Sequence, residues 1–310
     1  MGHFKAGTLA GEGCFVRVMK QMIYGISYII NRRIFKKNTP LIAGLTVTNK
    51  CNLRCRHCRV TDREAGDSSF EEVITILDSF YKEGGRTVYL QGGEPFIWHD
   101  RQHNLEDIVE YAHEKGFLAA VIFTNGTMPI KTSADTVFVS VDGLQKTHDY
   151  LRGETFDTIM ENICESQHPS LFINFTINNY NKDEIETFCK HIDKISRIRG
   201  IFFYFHTPYY GYDDLYIEPA QRNEILGRLL TLKRKYKILN SQAGLKSALN
   251  NDWERPLDIC RVYEKGEVYE CCRYPGDPKL CQNCGYLSYA EVDQTLKLKP
   301  SAILNALKYF

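Results

Sequence analysis

Charge of one sign is missing from this 310-residue chain: 39 Lys and Arg stand against 38 Asp and Glu, a net +1. Such a balance projects no overall field toward a polyanion, so no nucleic-acid partner is expected. Long hydrophobic runs are missing as well. In the helical pattern that begins at Phe15, apolar residues are interrupted by Arg17, Lys20, Gln21 and Asn31, far short of the roughly 20 consecutive apolar residues that a membrane span needs. No cleavable signal sequence is evident, so the eleven cysteines do not read as a secreted disulfide frame. Most of them fall in two clusters of a long chain, the pattern of metal ligands in a reducing cytoplasm. A cytoplasmic protein is expected. With 43% hydrophobic and 25% charged residues the chain has enough apolar surface for a core and too little charge for disorder. Its length suits one large domain with an appendage, or two modest ones.

The most informative shortage is a single cysteine. Cys51-Asn-Leu-Arg-Cys55-Arg-His-Cys58 supplies three thiolates, one fewer than a closed four-cysteine zinc or iron–sulfur site uses. A cubane held by three cysteines keeps one iron open for a ligand from outside the chain; part of a zinc site is the alternative. After the apolar run Thr87 to Leu90 comes Gln91-Gly92-Gly93-Glu94-Pro95. Glycines there let backbone approach a small molecule closely, turning amides and carbonyls into binding groups.

Together the two stretches resemble the radical S-adenosylmethionine (SAM) superfamily. The resemblance implies a [4Fe-4S] cluster on Cys51, Cys55 and Cys58 whose open iron takes the amino and carboxylate groups of SAM. It implies that Gly92, Gly93, Glu94 and Pro95 hold the methionine amino group. His57 stands where the family places an aromatic ring beside the adenine, and also fits simple packing. Ser140-Val-Asp142-Gly143 and His148-Asp149-Tyr-Leu-Arg152-Gly153 are similar to the S-x-D-G and H-D-x-x-R-G stretches of relatives with C-terminal auxiliary clusters. By that likeness Ser140, Asp142 and Arg152 join the cofactor site, with Ser140 on the SAM ribose or carboxylate and Arg152 on the carboxylate. A guanidinium suits the task because it grips a carboxylate through two parallel hydrogen bonds. Turn formation is the plainer reading of Ser140 and Asp142. The chain departs from the family's G-x-I-x-G-x-x-E pattern, carrying Phe175-Thr-Ile-Asn-Asn-Tyr-Asn181, with Asn178 and Asn179 as substitutes for adenine contacts.

Along the chain, Met19, Met22, Ile23, Ile26, Ile29 and Ile30 share one helical face with Phe15, while Lys20, Tyr24, Tyr28 and Asn31 share the other with Arg17. Two readings stay open: a helix plugging the bottom of a barrel, or an interfacial helix on an anionic membrane, with Arg32, Arg33, Lys36 and Lys37 following. Strands are expected at 41–48, 87–90, 117–124, 136–141, 171–177 and 201–206, alternating with helices at 70–83, 105–114, 156–166 and 182–198. Ser69-Phe-Glu-Glu72 reads as a capping box. Alternation with crossover helices predicts an α/β fold with a parallel sheet and right-handed connections, a partial (β/α)6 TIM-like barrel. Its functional loops belong at the C-terminal strand ends. The expected segments are 1–39 (a loose start, the amphipathic helix and a basic linker), 40–215 (the barrel), 216–255 (a helical connector) and 256–310 (a small cysteine module).

That module holds Cys260, Cys271, Cys272, Cys281 and Cys284. Lys265-Gly266-Glu267 predicts a hairpin turn presenting Cys260 and Cys271 together. The spacing resembles the twitch module, a truncated relative of SPASM, and no cysteine follows Cys284 as a full SPASM would require. Four thiolates here, expected from Cys260, Cys271, Cys281 and Cys284, imply one auxiliary [4Fe-4S] cluster; a zinc ribbon is the alternative. Strand alternation argues that only one of Cys271 and Cys272 faces it. Cys14, Cys164 and Cys189 read as ordinary buried thiols. Tyr204, His206, Tyr209, Tyr210, Tyr212, Asp213 and Asp214 line a substrate pocket or merely pack. Leu296 to Phe310 reads as one helix docked apolar side inward. The resemblance implies cleavage of SAM by an electron from a donor such as ferredoxin or flavodoxin, giving a 5′-deoxyadenosyl radical. That radical would modify a peptide or a small cofactor precursor, or, if the N-terminus is peripheral on the membrane, a lipid. A non-catalytic iron–sulfur carrier or scaffold needs neither the GGEP loop nor Arg152.

Overall fold

The computed structural model describes residues 9–58, 66–209, 211–255, 257–264, 266–272 and 278–307, with side chains from Met19 onward in the first helix. The calls on residues 1–8, on the side chains of Cys14, Phe15 and Arg17, and on Tyr210 and Lys265 lie outside these. The chain forms α1 (Leu9–Arg33), β1 (Ile42–Thr48), α2 (Phe70–Glu83), β2 (Thr87–Gly92), α3 (Leu105–Lys115), β3 (Ala119–Thr124), β4 (Thr136–Ser140), α4 (Gln145–Arg152), α5 (Phe156–Glu165), β5 (Leu171–Ile177), α6 (Ile185–Ile192) and β6 (Ile198–Phe205). There follow α7 (Pro219–Leu232), α8 (Gln242–Asn250), β7 (Cys260–Glu264), β8 (Glu267–Glu270), α9 (Pro278–Gln282), α10 (Leu287–Leu296) and α11 (Pro300–Ala306). Ser69 and Glu72 form the anticipated capping box, and Gly84 closes α2 at φ 113°, a left-handed conformation that glycine adopts without strain.

One eight-stranded sheet runs β8-β7-β1-β2-β3-β4-β5-β6. β1 to β6 pair in parallel, which is the partial (β/α)6 barrel. β7 pairs in parallel with β1, and β8 antiparallel with β7. The cysteine hairpin is therefore spliced onto the barrel's own sheet, where the sequence suggested a separate module. At the other edge Asn240 serves as a surrogate strand residue: its side chain accepts from Phe203 N (2.8 Å) and donates to Phe203 O (3.0 Å), satisfying groups an open edge would leave bare.

Side chains alternate across the strands. Val88, Leu90, Val137, Val139, Ile173 and Phe175 are buried on the outer face toward the helices, each contributing on the order of 2 kcal/mol through removal from water. The inner face has an aromatic floor: Phe123 stacks on Phe138 (5.0 Å) and Phe138 on Phe172 (5.4 Å), with Tyr89 edge-on to Phe123. Gly44 makes room for this floor, since a Cβ there would collide with the Tyr89 ring.

Three expectations are corrected. α4 went unread, because an eight-residue helix without a side-chain cap bond carries little periodic signal. The expected C-terminal helix is two helices, α10 and α11, broken where Leu298 takes φ 59° ahead of Pro300. It is not docked wholly apolar side inward either, for Leu304 is 65% exposed while Asn305 is buried. Finally, Cys189 is buried but Cys164 is exposed.

Candidate functional site

Cys51, Cys55 and Cys58 leave the C-terminal end of β1, and all three are half-buried. The loop is held at its base and its tip. At the base, Thr48 Oγ1 and Lys50 Nζ donate to Asp67 (2.5 and 2.6 Å). At the tip, Arg56 donates through N to Leu151 O and through Nε to Tyr150 O, both at 2.8 Å, and its guanidinium lies 4.0 Å over the Tyr150 ring. The cysteine loop thus leans on α4.

The GGEP loop meets it from β2. Gly93 N donates to Thr48 O and Glu94 N to Lys50 O. A Cβ on Gly92 would strike Thr48 O, and one on Gly93 would strike Lys50 O and Cys51 Cβ. The two glycines are needed here for the approach of two backbones; the sequence had assigned their freedom to a ligand. Glu94 is fully buried. Its carboxylate accepts from Thr124 Oγ1 (2.7 Å), Asn125 N (2.7 Å) and Phe96 N (3.1 Å), so this side chain props the loop after β3. Burial pushes its carboxyl above the ordinary range, against those donors. Asn125, so placed, points Nδ2 at Cys51 Sγ (3.8 Å).

Asp142 and Arg152 are brought together behind the cysteines. Arg152 Nε donates to Asp142 Oδ2 at 2.5 Å, and its Nη1 lies 4.0 Å from Cys55 Sγ. Asp142 Oδ1 accepts from Thr176 N (2.6 Å) and Oδ2 stands 3.7 Å from His57 Nε2. Burial alone would raise the Asp142 carboxyl, but Arg152, helped by the Thr176 amide, outweighs it and holds it below the usual range. Burial pushes the Cys55 thiol up to about 11 despite Arg152, and takes His57 down to about 4, leaving a neutral ring. Ser140 ends β4 half-buried on the inner face.

Two site residues, Thr46 and Asn174, escaped the sequence reading. On the inner face above the aromatic floor, Thr46 Oγ1 and Asn174 Oδ1 are buried without hydrogen-bond partners, as is His57 Nδ1. Native interiors rarely strand such atoms, so this belt fits a polar ligand in the barrel mouth. Asn178 and Asn179, by contrast, are occupied: Asn178 bonds within its own turn and Asn179 Nδ2 reaches Asp214 O and Tyr216 O. His206 Nε2 is 3.1 Å from Asp213 Oδ1 and Tyr180 donates to Asp214, whereas Tyr212 is 64% exposed. The aromatic stretch therefore splits rather than lining one pocket.

The second cysteine group surrounds a cleft lined by Cys271, Cys272, Cys281 and Cys284 with Trp253, Tyr209, Tyr286 and Tyr289. Cys260 sits at the start of β7, its Sγ 3.8 Å from Tyr89 Oη, and Cys271 N donates to Cys260 O at 2.7 Å. Arg222 and Arg255 hold the Cys281–Cys284 turn by its carbonyls. β8 ends at Glu270 and Cys271 takes φ 71°, so strand alternation does not separate Cys271 from Cys272. The Cys272 side chain bonds the Cys271 thiol and, with burial, drives it up. In neither group do three Cys, His, Asp or Glu side chains among the described residues converge as ligands of one ion. A cubane, which gives each thiolate its own iron, asks for no such convergence.

Comparison with known proteins agrees with this construction. Residues 45–192 match the radical SAM superfamily. The Fe-coproporphyrin III synthase of Methanosarcina barkeri is 30% identical over 192 residues, 57% of this chain and 46% of that protein. The antilisterial bacteriocin subtilosin biosynthesis protein AlbA of Bacillus subtilis is 30% identical over 126 residues, 37% of this chain and 27% of that one. The chain thus spans less than half the length of these relatives. Among solved structures, Streptococcus suis SuiB bound to precursor peptide SuiA superposes with a TM-score of 0.61 at 16% identity, covering 87% of this chain and 68% of SuiB. The anSMEcpe structure with bound AdoMet and Cp18Cys peptide gives 0.55 at 18% identity, covering 87% and 84%. With the three-cysteine loop, the GGEP strand end and the parallel barrel in place, the chain is similar, through residues 45–192, to the radical SAM superfamily.

Proposed function

We propose that this chain cleaves SAM reductively and uses the radical to modify a peptide or a small cofactor precursor. Cys51, Cys55 and Cys58 would hold a [4Fe-4S] cluster, with SAM against Gly92 to Pro95, Ser140 and Arg152. When bound, cluster and SAM supply a 5′-deoxyadenosyl radical. The observation that carries the reading is Arg152, whose Nε is anchored on buried Asp142 while Nη1 faces Cys55. A buried cation there favours thiolate over thiol, the form a cluster needs, and leaves a donor for an incoming carboxylate. His57, neutral and with a bare Nδ1, can accept or donate one bond without bringing charge. The aromatic floor closes the barrel beneath, keeping water from a reactive intermediate. Thr46 and Asn174 would orient the ligand's polar groups.

The names of the relatives support the substrate class: one is a porphyrin synthase and another acts in bacteriocin biosynthesis. Cys260, Cys281, Cys284 and one or both of Cys271 and Cys272 would hold one auxiliary [4Fe-4S] cluster, making 256–310 a twitch-like module. Ferredoxin or flavodoxin would be the donor. The reduced, anaerobically reconstituted chain should form 5′-deoxyadenosine from SAM, and Cys55→Ala should abolish it. Normal formation by that variant would refute the assignment.

A further inference from the structure

α1 crosses the N-terminal end of the sheet with an ordered set of bonds. Gln21 Nε2 donates to Leu118 O (3.0 Å), Tyr24 Oη to Gly84 O (2.7 Å) and Tyr28 Oη to Thr39 O (2.8 Å), and Arg32 pairs with Asp258 (2.8 Å). Those partners precede β3, β2, β1 and β7, four successive neighbours in the sheet. One helical turn advances about 5.4 Å and adjacent strands lie about 4.8 Å apart, so each turn delivers one donor to one strand start. Burial pushes the Tyr24 and Tyr28 phenols up to about 12, keeping them protonated donors. The stripe that docks is thus the hydrogen-bonding one, and α1 covers the bottom of the barrel while leaving its apolar side unburied.

The apolar stripe faces out. Met19, Met22, Ile23, Ile26 and Ile30 are 42–62% exposed, and Ile34 and Phe35 more so. Beside it stand exposed Lys20, Arg33, Lys36 and Lys37, and no Asp or Glu occurs between residues 13 and 61. Asp258 and Glu83, beside the strand starts that α1 crosses, are engaged by Arg32 and Arg261. Arg33 also bonds Leu296 O, two residues before the exposed Leu298. Among the described residues no helix is long and apolar enough to cross a membrane.

We infer that α1 and the segment Ile34–Lys37 dock the chain in plane on an anionic bilayer surface, apolar stripe among the acyl chains and lysines at the headgroups. Because α1 covers the strand starts, the cysteine and GGEP loops at the strand ends open away from the lipid. Docking of this kind fits a substrate arriving from solution and does not require a lipid one.

The test uses the full reconstituted chain and phosphatidylcholine vesicles with or without about a third phosphatidylglycerol. Co-sedimentation should be at least about tenfold stronger with the anionic lipid and should fall as salt shortens the screening length. Ile23→Glu/Ile26→Glu, changing two exposed side chains, should abolish it with melting unchanged; Lys36→Glu/Lys37→Glu should weaken it about tenfold or more. Absence of binding to anionic vesicles overturns the proposal, as does equal, salt-independent binding to neutral ones. A dimer that Ile26→Glu dissociates, without vesicle binding, overturns it in favour of a second copy. Vesicle binding is read without turnover, so its failure leaves the radical reading untouched.

Discussion

Asp142→Asn isolates the buried ion pair behind the cysteines. The substitution keeps the side-chain volume and an acceptor for Thr176 N, now 2.6 Å from Oδ1, but removes the charge facing Arg152 at 2.5 Å. Two unit charges about 4 Å apart attract by about 4 kcal/mol at an effective dielectric near 20, and removing one partner of a buried pair costs about 3–5 kcal/mol. Arg152 is itself buried and cannot turn to water. The metal-free chain should therefore lose about 3–5 kcal/mol in urea titrations at neutral pH, and on the order of 10 °C in melting temperature. The pH dependence has a definite sign. Asp142 is held below the ordinary carboxylate range, so the folded state binds fewer protons than the unfolded one. Its contribution is present above the unfolded carboxylate value near 4 and is lost as pH falls through the lower folded value. The gap between wild type and variant should close there. A loss below about 1 kcal/mol at neutral pH, or a gap widening in acid, would refute the reasoning.

Thr46→Val removes a buried hydroxyl that has no partner; it should hold or raise stability by about 1–2 kcal/mol while slowing turnover, and equal losses in both would assign Thr46 to the fold. Gly93→Ala should leave secondary structure intact but cut iron at the first site, because the added Cβ strikes Lys50 O and Cys51 Cβ. With Cys51, Cys55 and Cys58 replaced by alanine, the C-terminal cleft should keep about four irons and four sulfides, whereas a zinc ribbon would keep about one colourless zinc. In that background Cys271→Ala and Cys272→Ala should each spare the iron and only the pair remove it, since both thiols line the cleft; loss on either single change would identify the sole ligand.

Strands and the cysteine loop were legible because their signals are local. Leu171–Ile177 could be read residue for residue, and Cys51, Cys55 and Cys58 advertise themselves by spacing. What stayed hidden depends on a partner distant in the chain. Nothing near Gly92 says that Thr48 O will lie against it, and nothing near Glu94 names Asn125 as its client. Amphipathic reasoning could not choose the docked face of α1 for a related reason: the barrel bottom offers carbonyls at strand starts, and Tyr24 and Tyr28 rather than the isoleucines bind them. The alternation argument at Cys271 failed because the strand stops one residue early.

These long-range partners have a consequence for the mouth of the barrel. The loop after β1 rests on α4 through Arg56 and Tyr150, and on the loop after β2 through the glycines' contacts. That loop in turn supports the one after β3 through Glu94, whose Asn125 returns to Cys51. Arg152 closes the circuit from α4 to Asp142 and Cys55. Cys51 and Cys55 are thereby positioned by residues 74 and 97 places along the chain, and interacting sites of this kind do not add independently. Substitutions at Glu94, Asn125 and Arg152 should therefore couple, with the double variants Glu94→Gln/Arg152→Lys and Asn125→Ala/Arg152→Lys losing less first-site iron than the sum of their single losses. Strictly additive losses would mean that the loops stand separately and that the circuit has no part in holding the cysteines.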